Sequence, residues 1–126
     1  MKLPSKELLS EVLHMKLELG DIDRYYLIKD ERHLLRLILT DKTDCWNYDI
    51  NIYELAHKCK EWALSKGYII EVGVHPTIKK DRTDRDYFYI ITTDRGQQLV
   101  PKFVEIIKTE PEAIFKACEW ILKDTR

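Results

Sequence analysis

The sequence predicts an α+β fold, in which mixed or antiparallel strands form a single sheet and two main helices pack on one of its faces. Three observations predict it. Two segments with capping-box character open strong helical patterns, short alternating apolar runs indicate strands around them, and four glycines and four prolines are too few for long loops. A short helix near the N terminus completes the predicted fold.

The N-terminal part of the chain predicts one short helix and three strands. Ser5 is a suitable N-cap, and apolar residues recur at helical spacing over about 6–14. Apolar runs at 25–28 and 34–39 flank a polar turn at 30–32, which predicts a hairpin. A third strand is predicted around residues 46–50, because aromatic and aliphatic residues alternate there with polar ones.

The clearest element is a helix over about 52–66. Asn51 and Glu54 have the spacing of a capping box, and Gly67 provides a stop signal at the C-terminal end. One apolar face is predicted to consist of Leu55, Cys59, Trp62 and Ala63. We expect this face to lie on the sheet.

Three further strands and a last helix complete the predicted elements. The strands are predicted at 68–74, 87–92 and 103–107, with a polar segment at 76–86 between the first two. Thr109 as N-cap and Pro111 in the first turn predict a helix over about 110–123. Its apolar face is predicted to carry Ile114, Cys118, Ile121 and Leu122.

The two main helices share the pattern E-x-x-x-K-x-x-E-W-x-L, which begins at Glu54 and again at Glu112. Shared helix chemistry explains part of it, because Glu followed four residues later by Lys is a favourable helical ion pair. A true duplication is the alternative. Under either explanation, we expect Trp62 and Trp120 to be buried against the sheet.

Composition limits the class of protein. The chain of 126 residues is predicted to form one domain over 1–126, with 21 basic and 22 acidic residues. Nucleic-acid binding is disfavoured, because phosphate neutralisation normally needs a basic excess. The first residues lack an apolar signal region and no run approaches a membrane span, so we expect a cytoplasmic protein with no membrane association. The oligomeric state is left open.

The cysteines and histidines do not have the spacing of a ligand set. Cys45, Cys59 and Cys118 are interpreted as reduced thiols, mostly buried. Glu54 and His57 have the E-x-x-H spacing of di-iron bundles, but position 115 of the last helix is Phe rather than a second histidine. We therefore expect no metal and no cofactor, and we interpret His57 as a surface or interface residue.

The carboxylates within 81–86 do not alternate as a calcium loop requires, and this segment is interpreted as a solvated loop. Nucleophile-elbow, phosphate-loop and zinc-protease motifs are absent from the sequence, so an enzyme is unsupported although not excluded. The leading hypothesis is a non-enzymatic accessory protein that binds an unidentified protein partner. The alternatives are a nucleic-acid-associated protein that uses the loop at 79–85, and a small enzyme of unrecognised type.

Tyrosines in the predicted strands are the candidate interaction residues. Tyrosine offers a large contact area at low entropic cost, which suits protein interfaces. Because strand residues alternate between two faces, some of these side chains must point outward. The candidate surface consists of Tyr25, Tyr26, Tyr87 and Tyr89.

Three blocks of the sequence carry a resemblance to other proteins. Leu3–Leu13, Tyr48–Ala63 and Thr109–Ile121 resemble small uncharacterised proteins found in bacteria and their prophages. The resemblance implies a cytoplasmic protein and an origin in a phage-like element. It implies no activity and no functional residue.

Overall fold

The computed structural model describes residues 2–14, 22–40, 45–75, 86–99 and 107–125. The elements, in chain order, are the helix α1 (Lys6–Leu13), the strands β1 (Ile22–Lys29), β2 (Arg32–Thr40) and β3 (Cys45–Asn51), the helix α2 (Ile52–Ser65), the strands β4 (Tyr68–His75), β5 (Asp86–Thr93) and β6 (Gln98–Leu99), and the helix α3 (Glu110–Asp124). The predicted α+β class, with two main helices and a short N-terminal helix, is confirmed.

The described strands form two antiparallel sheets of three strands, where the sequence analysis expected a single sheet. The first sheet has the order β1-β2-β3 and the second the order β4-β5-β6. The division follows from the path of the chain. Asn51 ends β3 and is also the N-cap of α2, so the chain leaves the first sheet directly into a helix. That helix contacts strands of both sheets, and β4 then pairs with β5.

The predicted N-caps of all three helices are confirmed. The side-chain oxygen of Ser5 accepts a hydrogen bond from the backbone of Leu8 at 3.2 Å. Asn51 Oδ1 accepts from Tyr53 N at 2.8 Å, and Thr109 Oγ1 accepts from Glu112 N at 3.3 Å. Each cap satisfies a backbone N–H that has no partner within its helix. The described helices include none that is long and apolar enough to cross a bilayer.

The buried side chains come from the three helices and from both sheets. The first sheet contributes Leu35, Leu37 and Ile50, and the second contributes Ile70, Tyr89 and Ile91. Trp62 is buried as predicted, but Trp120 is only partly buried. The prediction for Trp120 fails because its face of α3 also borders a cavity beside the N-terminal segment.

Cys59 and Cys118 are buried free thiols between α2 and α3, as the sequence analysis expected. Cys118 Sγ donates to the backbone carbonyl of Cys59 at 3.4 Å. Its hydrogen bonding with Cys59 and its burial both raise the pKa of the Cys118 thiol, which therefore stays protonated and unreactive. The side chains of Cys45 and Trp46 lie outside the described part, as does the strand predicted at 103–107 except for Ile107.

The hairpin between β1 and β2 has a turn of two residues, shorter than the predicted turn at 30–32. Asp30 and Glu31 have φ values of 51° and 63°, and Lys29 pairs with Arg32. Positive φ at both central residues is the signature of a type I′ turn, whose twist matches that of a hairpin. Arg32 is therefore the first residue of β2.

Candidate protein-binding surface

The register of the first sheet separates two of the candidate tyrosines. Tyr25 lies opposite Arg36, whereas Tyr26 lies opposite the buried Leu35. Tyr25 therefore points away from the core and is 50% exposed. Tyr26 lies on the inner face, where it is partly buried against the core.

The other two candidate tyrosines lie on the second sheet and point inward. Tyr89 is opposite Val72, two residues before the buried Ile91, and is itself buried. Tyr87 shares this face and packs against the core. The four tyrosines consequently do not form one surface, and Tyr25 is the only one of them that is exposed.

An aromatic cluster that the sequence analysis missed lies at the end of the hairpin, beside the start of α2. The Tyr26 hydroxyl is hydrogen-bonded to Nδ1 of His33, and the two rings stack with their centroids 5.9 Å apart. Tyr53 meets His33 edge-on, with the centroids 6.4 Å apart and the ring planes at 88°. Such stacked and edge-on pairs each add a modest stabilisation beyond the area that they bury.

Two side chains at this cluster are exposed, those of Ile28 beside it and Tyr53 within it. Ile28 lies opposite His33 in the hairpin and is 60% exposed. Tyr53, in the first turn of α2, is also 60% exposed. We refer to Tyr26, Ile28, His33 and Tyr53 together as the aromatic patch. Large side chains that are held in place by neighbouring rings and still face solvent are typical of interface anchors.

The aromatic patch borders an edge of the first sheet. In a hairpin with a two-residue turn, the pair that flanks the turn exchanges hydrogen bonds, and every second pair along the strands does the same. The backbone groups of Arg24, Tyr26 and Ile28 therefore point away from β2. In the described part of the chain, β1 pairs with β2 and with no other strand. Within the described residues, β1 is therefore an edge strand of the first sheet.

The outward face of the same sheet carries a bidentate ion pair next to Tyr25. Arg36 Nε and Nη2 donate to the two carboxylate oxygens of Asp49 at 2.8 Å and 2.9 Å. The hydrogen bond with Arg36 lowers the pKa of Asp49. Tyr25, Arg36 and Asp49 form one row across the three strands. The pair therefore presents a fixed polar contact beside the exposed tyrosine.

The residues that the sequence analysis considered for metal binding do not converge in the described part. His57 and Glu61 form an exposed i,i+4 pair at 3.1 Å, as expected for a polar helix surface. Among the described residues, no group of three or more His, Cys, Asp or Glu side chains is arranged to hold a metal ion. The loop at 79–85 lies outside the described residues.

No family model matches the chain, and no curated protein or solved structure matches it. The resemblance to small bacterial and prophage proteins stays a prediction.

Proposed function

We propose that this chain is a non-enzymatic accessory protein that binds an extended segment of another protein along the edge of β1. In this mode of recognition, a partner strand adds to a sheet edge through main-chain hydrogen bonds, and its alternate side chains provide specificity. The proposal places the complex in the cytoplasm, and an origin in a phage-like element is part of it.

The main support for the proposal is that the β1 edge lies next to the aromatic patch. A strand added to this edge would place alternate side chains next to Tyr26 and Ile28 on one face and next to Tyr25 on the other. Ile28 and Tyr53 would lose their exposure in the complex, which would provide the apolar burial that main-chain hydrogen bonds alone do not supply.

The charge of the molecule favours a protein over a nucleic acid as the partner. The formal net charge is −1, and the Arg36 charge beside Tyr25 is paired with Asp49. A surface with balanced charge offers little counterion release, which supplies most non-specific affinity for nucleic acids.

The test compares two similarly exposed aliphatic residues. Ile28→Lys introduces a charge at the β1 edge, whereas Leu64→Lys makes the same kind of change at the end of α2, where Leu64 is 62% exposed. A strand edge that carries lysine resists pairing with a further strand. Each variant and the wild type are used to capture partners from a bacterial lysate, and the bound proteins are compared quantitatively by mass spectrometry.

We expect a specific partner to be retained by the wild type and by Leu64→Lys and to be lost with Ile28→Lys. Thermal unfolding checks that both variants remain folded. A partner that all three proteins retain equally would contradict the β1 edge as the binding surface. Tight binding of DNA by the wild type, with a steep salt dependence at about physiological salt, would favour the nucleic-acid alternative instead.

A further inference from the structure

We propose that a cavity between the N-terminal segment, β1, β5 and α3 binds a small phosphorylated compound that carries an aromatic ring. The cavity shares Arg24 with β1, but its described lining includes no residue of the aromatic patch, and the inference does not rest on the protein-binding function. The cavity has a volume of about 340 Å³, which lies within the range of small-molecule sites.

Basic side chains from three parts of the chain line the cavity: Lys2, Arg24, Lys116 and Lys123. The chain as a whole has a formal net charge of −1, so this local excess of positive charge is not a general property of the surface. Lys116 has a carboxylate at 3.9 Å, that of Glu112. For Lys2, Arg24 and Lys123, no ion pair or hydrogen bond of the side chain exists within the described residues.

Arg24 is the basic residue that β1 contributes to the cavity. It lies on the inner face of the first sheet, opposite the buried Leu37, and is itself partly buried. Because its side chain has no carboxylate partner among the described residues, its positive charge is available to an anion bound in the cavity. Its planar fork of donors suits the oxygens of a phosphate group.

Glu119 is the one acidic side chain among the described residues of the lining, against four basic ones. Glu119 accepts hydrogen bonds from the backbone N–H of Ser5 at 2.6 Å and from Ser5 Oγ at 3.0 Å. Both carboxylate oxygens are therefore directed at the N-terminal segment. The same contacts position Lys2 and Leu3, which precede Ser5, at the rim of the cavity.

Aromatic side chains form the remainder of the lining and indicate the second part of the ligand. Phe115 and Tyr89 are buried, whereas Trp120 is partly exposed where it borders the cavity. An indole ring on a cavity wall offers a stacking surface for a flat ring. Positive charge and an aromatic wall in one cavity fit a phosphate attached to a heterocycle, and nucleoside monophosphates are the simplest such compounds.

The experiment titrates the full chain with each of the four ribonucleoside 5′-monophosphates by calorimetry. Inorganic phosphate and the corresponding nucleosides are titrated in parallel. We expect at least one monophosphate to bind more tightly than either of its parts. Arg24→Gln and Lys123→Gln should each weaken this binding about tenfold or more, as expected for loss of a charge-assisted hydrogen bond. Trp120→Leu should also weaken it.

The matched control is Lys29→Gln, which removes a positive charge from the exposed end of the same strand, outside the lining. It should leave the affinity within about twofold, a negligible free-energy change. Absence of binding by all four monophosphates at millimolar concentration would overturn the proposal. The proposal would also be overturned if inorganic phosphate or a nucleoside bound as tightly as the monophosphate. It would be overturned as well if Lys29→Gln weakened the binding as much as Arg24→Gln does. Ile28→Lys should not change this binding, so a failure here is distinct from a failure of the β1-edge proposal.

Discussion

Glu119 on α3 accepts two hydrogen bonds from Ser5, which is 114 residues away in the chain and is the N-cap of α1. The Ser5 hydroxyl thus donates to Glu119 and at the same time accepts from the backbone of Leu8. One carboxylate therefore holds the start of α1 against the last helix.

We expect Glu119→Ala to lower the free energy of unfolding by about 1–3 kcal/mol, because two partly buried donors lose their acceptor. Glu119→Gln retains one acceptor oxygen and should cost less. Glu61 occupies the equivalent position of the repeated helix pattern but is exposed, and within the described residues it pairs with His57 alone, so Glu61→Ala should change stability by less than about 0.5 kcal/mol. Urea denaturation measures all three. Equal losses for the two alanine variants would refute the structural role of the Ser5 contact.

Features that depend on neighbouring residues were predictable from the sequence. Ser5, Asn51 and Thr109 cap their helices as predicted, because each cap bonds to a backbone N–H only two or three residues ahead. The partition of the strands into two sheets was not predictable. It depends on how α2 lies against strands of both sheets, and no local pattern encodes such a contact.

The candidate surface could likewise be predicted only in part from the sequence. A period of two places Tyr25 and Tyr26 on opposite faces, but it does not say which face is covered. The aromatic patch requires the register of β1 on β2, which the two-residue turn determines, together with the position of Tyr53 at the start of α2. The polar residues at 30–32 predicted the hairpin. His33 was interpreted only as a structural or exposed histidine, and its edge-on contact with Tyr53 joins two separate predicted elements.

The backbone of the turn at Asp30 and Glu31 is strained, and a substitution by glycine should relieve this strain. Glu31 has a φ of 63°, a conformation that costs an L residue about 1–2 kcal/mol and glycine almost nothing. We expect Glu31→Gly to raise the free energy of unfolding by about 1 kcal/mol, because it creates the Asp-Gly pair that type I′ turns favour. The converse control is Gly96→Ala. Gly96 has a φ of 79° with open space around it, so the alanine should destabilise through backbone strain alone. A loss of stability in Glu31→Gly would contradict this account of the turn.

Phe88 covers Gly73 across the pair β4 and β5. A Cβ at Gly73 would lie 2.3 Å from the Cζ atom of Phe88. Within a strand, alanine is normally more stabilising than glycine. Here the Phe88 ring must move to admit the methyl group, so we expect Gly73→Ala to lower the free energy of unfolding by about 1–3 kcal/mol. In a Phe88→Ala background, the same substitution should be neutral or stabilising. A double-mutant cycle by denaturant unfolding measures the coupling, and a coupling near zero would mean that the ring does not restrict position 73.

The ion pair between Arg36 and Asp49 predicts a specific dependence on pH. The hydrogen bond with Arg36 holds the pKa of Asp49 below its usual value of 3.8. Because the folded state has the lower pKa, the contribution of Asp49 to stability is present above pH 3.8 and is lost as the pH falls through the folded-state pKa. Carbon-detected NMR titration of the Asp49 carboxyl measures the midpoint. Arg36→Gln should return it towards the usual value, and an unchanged midpoint would rule out Arg36 as the cause.

Trp62 joins α2 to α1 through its indole nitrogen, which donates to Glu11 Oε2 at 3.0 Å. Trp62→Ala should cost about 3–5 kcal/mol, because a buried aromatic side chain is removed from the core. Trp62→Phe keeps most of the apolar contact and loses the hydrogen bond, so its cost should be smaller and should depend on Glu11. In a Glu11→Ala background, Trp62→Phe should therefore cost less than it does in the wild type, which a double-mutant cycle detects.

The importance of burial is tested by comparison with Trp120→Ala. Because Trp120 is only partly buried, this variant should lose less stability than Trp62→Ala. Solvent-like fluorescence emission from Trp62 in the folded protein would contradict its buried position.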